Sequence, residues 1–111
     1  MKLDWELFND ILKRVEELPA GDSLHLDDPL EVEHALLLHD AGMIELLDVS
    51  SHGGKAVIIE RLTIRGHNYL SHIQNQTVYN KVKNFIKNQG GNVAFDILVE
   101  IAKTAAFNLL K

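Results

Sequence analysis

The apolar positions along the chain fall into helical and extended stretches with strong punctuation between them. Leu3, Leu7, Phe8, Ile11, Leu12, Val15 and Leu18 recur at helical spacing behind Asp4, which is placed as an N-cap. The run Leu18-Pro19-Ala20-Gly21-Asp22 ends that first helix, and Ser23-Leu24-His25-Leu26 alternates over too few residues for more than a short strand. A second helix then opens with Asp28 as N-cap, Pro29 at the first helical position and Glu31 completing an Asp-x-x-Glu capping box. Val32, Ala35, Leu36 and Leu38 make its buried stripe. Gly42 stands where a left-handed C-cap belongs, so that Met43 packs back on Leu38 in a Schellman closure.

Residues 44–50 and 55–62 are β-prone runs on either side of His52-Gly53-Gly54, the pattern of a hairpin with a flexible tip. Thr63 caps a further helix through Ile64, Leu70 and Ile73, and Gln74-Asn75-Gln76 forms a joint too short to separate two cores. Val78, Val82, Phe85, Ile86 and Gln89 mark another helix, stopped by Gly90-Gly91, and Asn92 caps the last one.

The order helix, short strand, helix, β-hairpin, helix predicts an α+β fold, a winged-helix-like domain followed by two C-terminal helices. A generic α+β domain is the alternative. Only ten residues separate Leu18 from Pro29, too few for a strand and a full intervening helix, so the tri-helical core of a helix-turn-helix relative is abridged. The organisation expected is a module over residues 1–74 with a helical pair, 75–111, packed on it as one compact unit.

Met1-Lys2-Leu3-Asp4-Trp5, His34-Ala35-Leu36-Leu37-Leu38-His39-Asp40-Ala41-Gly42-Met43-Ile44, Leu62-Thr63-Ile64-Arg65-Gly66-His67-Asn68-Tyr69-Leu70 and Thr77-Val78-Tyr79-Asn80-Lys81-Val82-Lys83 stand in that order. With the closing Gly90-Gly91 and Phe95-Asp96-Ile97-Leu98, this set resembles domain of unknown function 2513, over nearly the whole chain. The resemblance implies a winged-helix-like fold and a phage or prophage setting in bacteria. Tyr79 stands where the family pattern expects tryptophan, and Glu33 where an aromatic is common.

Composition narrows the chemistry. Among 111 residues, 46% are apolar and 24% charged, an ordinary globular balance, and there is no cysteine. Disulfides, thiol nucleophiles and cysteine-ligated metals are thereby excluded. The apolar runs are far shorter than the ~20 residues a membrane span needs. The N-terminus carries acids where a signal peptide needs an unbroken apolar stretch, so a cytoplasmic protein without membrane contact is expected. Ser23, Ser50, Ser51 and Ser71 sit on no nucleophile elbow, and neither glycine pair belongs to a phosphate-cradling motif. Asp27-Asp28 is explained by capping. His34 and His39 are five apart, as are His67 and His72, which turns the paired rings off a common helix face. His34 is expected to pack, or to cap a polar contact, under the hairpin. No enzyme activity, metal or cofactor is expected.

The net charge of −5 is unevenly spread. Residues 1–45 hold three bases against twelve acids, net −9, and residues 46–111 hold eight against four, net +4. Two surfaces follow. Lys55, Arg61 and Arg65 along the hairpin and the turn after it, with Lys81, Lys83 and Lys87 on the helix over 77–89, form a candidate duplex-DNA contact. The helix over 29–41, which a helix-turn-helix protein would place in the major groove, instead carries Glu31, Glu33 and Asp40 and no base. That acidic face is the candidate contact for a phage or host protein. A DNA-binding regulator leads the two readings, and a protein-interaction module without DNA binding is the alternative. The last helix, 93–110, has an apolar stripe for the domain and a second one, Phe95, Val99, Ala106 and Leu110, expected to join a second chain in a homodimer.

Overall fold

The computed structural model describes residues 3–91 and 93–110. Its elements are α1 (Trp5–Glu16), β1 (Leu24–Leu26), α2 (Pro29–Asp40), β2 (Ile44–Asp48), β3 (Val57–Leu62), α3 (Ile64–Gln74), α4 (Gln76–Asn88) and α5 (Phe95–Leu109). This is a winged-helix-like α+β arrangement, with no helix between β1 and α2, followed by two further helices. The chain forms two compact units, residues 1–67 and 68–111.

In the first unit the three strands order as β1-β3-β2, all antiparallel, so β3 is the central strand. Leu24 pairs with Ile59 and Leu26 with Val57 on one side; Asp48 pairs with Val57 and Leu46 with Ile59 on the other. The register then shifts between Glu45 and Leu46, so that Glu45 opposes Arg61 and Ile44 opposes Leu62. Glu60 is the extra residue of this β-bulge. The bulge explains why Val57, Ile59 and Leu62, which break strict alternation, are all buried. Trp5, Phe8, Ile11, Leu12 and Val15 supply the core face of α1, and Val32, Ala35 and Leu38 that of α2.

Most of the expected caps form. The Asp4 carboxylate accepts from Leu7 N at 3.2 Å, and Asp28 accepts from Glu31 N at 3.1 Å. The capping box at Asp28 is only half made, because the Glu31 side chain turns away to Arg14 of α1. At the other end of α2, Gly42 takes φ 76°, and Met43 N donates to Leu38 O at 3.0 Å, closing the Schellman motif. His34 is buried not under the hairpin but against the start of α1. It accepts the Asp4 amide at Nε2 (2.9 Å) and donates from Nδ1 to Leu30 O (2.8 Å), with its ring 4.7 Å from that of Phe8. An amide can only donate, so the ring hydrogen sits on Nδ1.

In the second unit Tyr69, Leu70 and Ile73 of α3 are buried, as are Val78 and Val82 of α4, and Tyr69 meets the edge of Phe95 at 5.5 Å. Ile64, expected on the apolar stripe of α3, is instead 78% exposed; helix phase puts Tyr69, Leu70 and Ile73 on the buried side. Asn75 caps α4 by accepting from Thr77 N at 2.9 Å and Val78 N at 3.3 Å. Asn92, expected to cap the last helix, lies outside the described residues. The N-cap of α5 is Ala94, which offers no side-chain bond.

Candidate functional site

The wing is the β2–β3 hairpin, closed at its tip by paired bonds between Ser51 and Gly54 (2.9 and 3.0 Å). Below the tip, Asp48 accepts from Ser50 N at 2.9 Å. Those bonds from Ser50, first its side chain and then its amide, hold the Asp48 carboxyl below the ordinary carboxylate range.

The three bases expected to reach DNA from this region are all engaged within the unit. Lys55 Nζ donates to Glu33 Oε1 of α2 at 2.6 Å, which ties the wing to that helix and raises the lysine pKa. Arg61 grips the Glu45 carboxylate with two bonds, Nε at 2.8 Å and Nη2 at 2.7 Å, the fork geometry suited to a carboxylate. The bulge brings these two residues opposite each other. Arg65 Nε donates to Ala41 O at 3.0 Å.

That last bond belongs to a clasp between the end of α2 and the start of α3. A helix C-terminus leaves carbonyls without intrahelical partners. Here Arg65 takes Ala41 O, the Thr63 hydroxyl donates to Gly42 O at 2.5 Å, and Thr63 N donates to Met43 O at 3.0 Å. The same hydroxyl accepts from Gly66 N at 3.1 Å, making the expected α3 cap. Gly66 lies so close to this backbone that a Cβ there would sit 2.1 Å from Met43 O.

The acidic face is partly consumed in the same way. Glu33 holds Lys55, and Glu31 holds Arg14, whose pKa is raised chiefly by that hydrogen bond. Asp40 is exposed and has no ion-pair partner among the described residues. Arg14 and Glu45 were outside both expected surfaces. Acid and base alternate in opposition only once the strand register and the α1–α2 packing are known, so local spacing carries no signal for either pair.

Lys81, Lys83 and Lys87 of α4 are different. All three are exposed, and none has an ion-pair partner among the described residues. Lys83 Nζ lies 5.9 Å from the centre of the Tyr79 ring, at the outer reach of a cation–π contact. Lys83 and Lys87 share a helix face, whereas Lys81 lines a groove with residues of α5. Of the residues assigned to a partner helix, Val99 is buried at 7% exposure within the chain, Phe95 and Ala106 are half-buried, and Leu110 is 86% exposed. Ile97, Phe107 and Leu109 are the other exposed large apolar residues of this helix.

Among the described residues no three or more His, Asp or Glu side chains gather to hold a metal ion. No helix there is long and apolar enough to cross a membrane.

Comparison with known proteins adds a family and one relative. The family described as "Hypothetical protein (DUF2513)" matches residues 2–92. An uncharacterized protein of Haemophilus influenzae is 33% identical over 118 aligned positions, covering 99% of this chain and 99% of its own length. No solved structure gives a significant match.

Proposed function

The chain belongs to the domain of unknown function 2513 family, and from that premise we propose that it is a non-enzymatic, cytoplasmic accessory protein of phage or prophage type. On this reading the winged-helix-like unit meets a basic protein surface rather than duplex DNA. The observation that carries it is the Lys55–Glu33 pair. In a helix-turn-helix frame the second helix and the wing face the phosphates together. Here the helix has no base, and the wing lysine is already neutralised by that helix. Binding DNA through this face would require breaking the Lys55 and Arg61 pairs and leaving Glu33 and Glu45 beside phosphates, where acids lower affinity instead of releasing counterions. Residues 1–67 hold six bases against fourteen acids, net −8, which favours a cationic partner.

A second reading has its own support. Lys81, Lys83 and Lys87 form no ion pair among the described residues, in a unit with five bases and two acids, and are placed to contact the backbone of duplex DNA from α4.

Fluorescence anisotropy with a mixed-sequence duplex separates the two. The interaction reading expects no salt-sensitive binding by the wild type at low salt. Binding whose logarithm falls with log salt at about −0.9 per phosphate contact, and which Lys83→Gln with Lys87→Gln weakens, would install the DNA reading. In the complementary experiment, wild-type protein and an Asp40→Lys/Glu33→Lys variant serve as baits for host proteins. A basic prey retained by the first and lost from the second is expected; prey shared equally would remove α2 from the site.

A further inference from the structure

An open groove of about 550 Å³ lies on the second unit, with Lys81 of α4 at its margin and α5 supplying the rest of the lining. Its apolar surface comes from Ile97, 49% exposed, and Ile101, half-buried, with Ala105. The lining positions Ile97, Ile101, Thr104 and Asn108 are spaced four, three and four apart, which is the seam of two helices packing side by side. Large side chains at the first half of the seam and short ones at the second are complementary when the helix meets its own copy running the other way. Ile97 then lies against Asn108, and Ile101 against Thr104, of the second chain.

Charge singles out that occupant. Asp96 and Glu100 line the same groove as Lys81, yet no ion pair forms among the three within the chain. A groove carrying both signs, each unpaired among the described residues, is complementary to itself under a two-fold axis: the lysine of each copy meets carboxylates of the other. A lipid-like molecule or an apolar peptide would use one sign and leave the other bare.

We propose that this α4–α5 groove is the interface of an antiparallel, two-fold homodimer, sealed by reciprocal Lys81–Glu100 pairs over an Ile97–Ile101 seam. The face differs from the Phe95, Val99, Ala106 and Leu110 stripe, since Val99 is already covered. The proposal stands independently of what the first unit binds. One helix pair gives an interface near the small end of the specific range, so association is expected in the micromolar regime.

Sedimentation equilibrium of the full chain tests it. At roughly 100 µM, a concentration at which an interface of this size is well populated, the expected mass is twice 12.5 kDa. Lys81→Glu and Glu100→Lys, each at an exposed position, are each expected to weaken dimerisation about tenfold, and the double swap to restore it. Ile97→Asp should give monomer with an unchanged circular dichroism spectrum. A wild-type monomer at this concentration overturns the proposal. So do single swaps that leave the dimer intact, a double swap that fails to restore it, and native mass spectra of a monomer carrying a bound small molecule. Should Ile97→Asp lose its helical signal, the charge-swap series decides alone, because its positions lie on the surface.

Discussion

The two units treat their polar groups in opposite ways. In residues 1–67 four contacts tie charges of α2, the wing and the start of α3 in place: Glu31 to Arg14, Glu33 to Lys55, Glu45 to Arg61, and Arg65 to the Ala41 carbonyl. In residues 68–111 Lys81, Lys83 and Lys87 have no ion-pair partner among the described residues, and α5 leaves Ile97, Phe107, Leu109 and Leu110 exposed. Exposed ion pairs contribute little to stability, so what the first unit gains is chiefly order: the wing is fixed to α2, and α3 begins at a set place. In the unit whose frame looks like a DNA reader, the bases of the wing and of the start of α3 are engaged internally, while Lys81, Lys83 and Lys87 belong to an element outside that frame. Charge composition alone therefore does not show which bases are left to meet a partner once opposite charges fold onto one another.

Substitutions in the clasp and in the helical pair sharpen that difference. Gly66→Ala should cost at least about 3 kcal/mol, because the new methyl would overlap the Met43 carbonyl, and backbone on both sides limits relaxation. The matched change in the second unit, Val82→Ala, removes fully buried methyl groups and should cost about 2 kcal/mol. Urea unfolding of both variants ranks them. A near-neutral Gly66→Ala would show that the start of α3 is not in backbone contact with Met43.

His34→Leu comes next, at about 2 kcal/mol, since an apolar substitute for the buried ring leaves the Asp4 amide without its part-buried acceptor and the Leu30 carbonyl without its donor. His34→Gln, which can still accept, should recover part of the loss; equal destabilisation by both would mean that packing against Phe8 is all the histidine provides. Thr63→Val follows at about 1 kcal/mol, the usual size of a lost N-cap, measured by the same unfolding curves. Its effect should appear first as faster amide exchange at Gly66.

Those residues also mark how much was legible before folding. Asp4, Asp28, Gly42 and Thr63 act within a few residues of themselves, so their spacing disclosed α1, α2, the Schellman closure and the start of α3. The hairpin was legible for the same reason. The ion pairs were not. A hairpin turning at His52-Gly53 without irregularity would set Glu45 against Glu60, two like charges; the bulge at Glu60 moves Arg61 into that place instead. Nothing local in residues 44–62 announces the bulge. Glu31 carried a true local signal, a capping box, which lost to a longer-range partner on α1. Periodicity likewise found two apolar faces on α5, but only packing shows that Val99 of the second stripe is among the residues covered. For the intrachain ion pairs, the sequence disclosed the residue types and the structure supplied their partners.

The smallest expected effect lies at the wing tip, where the locked unit meets solvent. The Asp48 carboxyl is held below its ordinary value of 3.8 by the Ser50 side chain and amide, with Lys55 adding attraction. A depressed carboxylate favours the folded turn at every pH above its unfolded value, and the contribution is lost as pH falls through the folded one. The turn should therefore stay closed at neutral pH and loosen only below 3.8, well after ordinary carboxylates have begun to protonate. Following the Ser50 amide by NMR from neutral to strongly acidic pH should give a titration midpoint below that value, and Asp48→Asn should abolish it while the β2–β3 pairs remain protected. A midpoint at or above the ordinary value would mean that the Ser50–Asp48 bond does not persist in solution. The wing tip would then resemble the unpaired charges of the second unit.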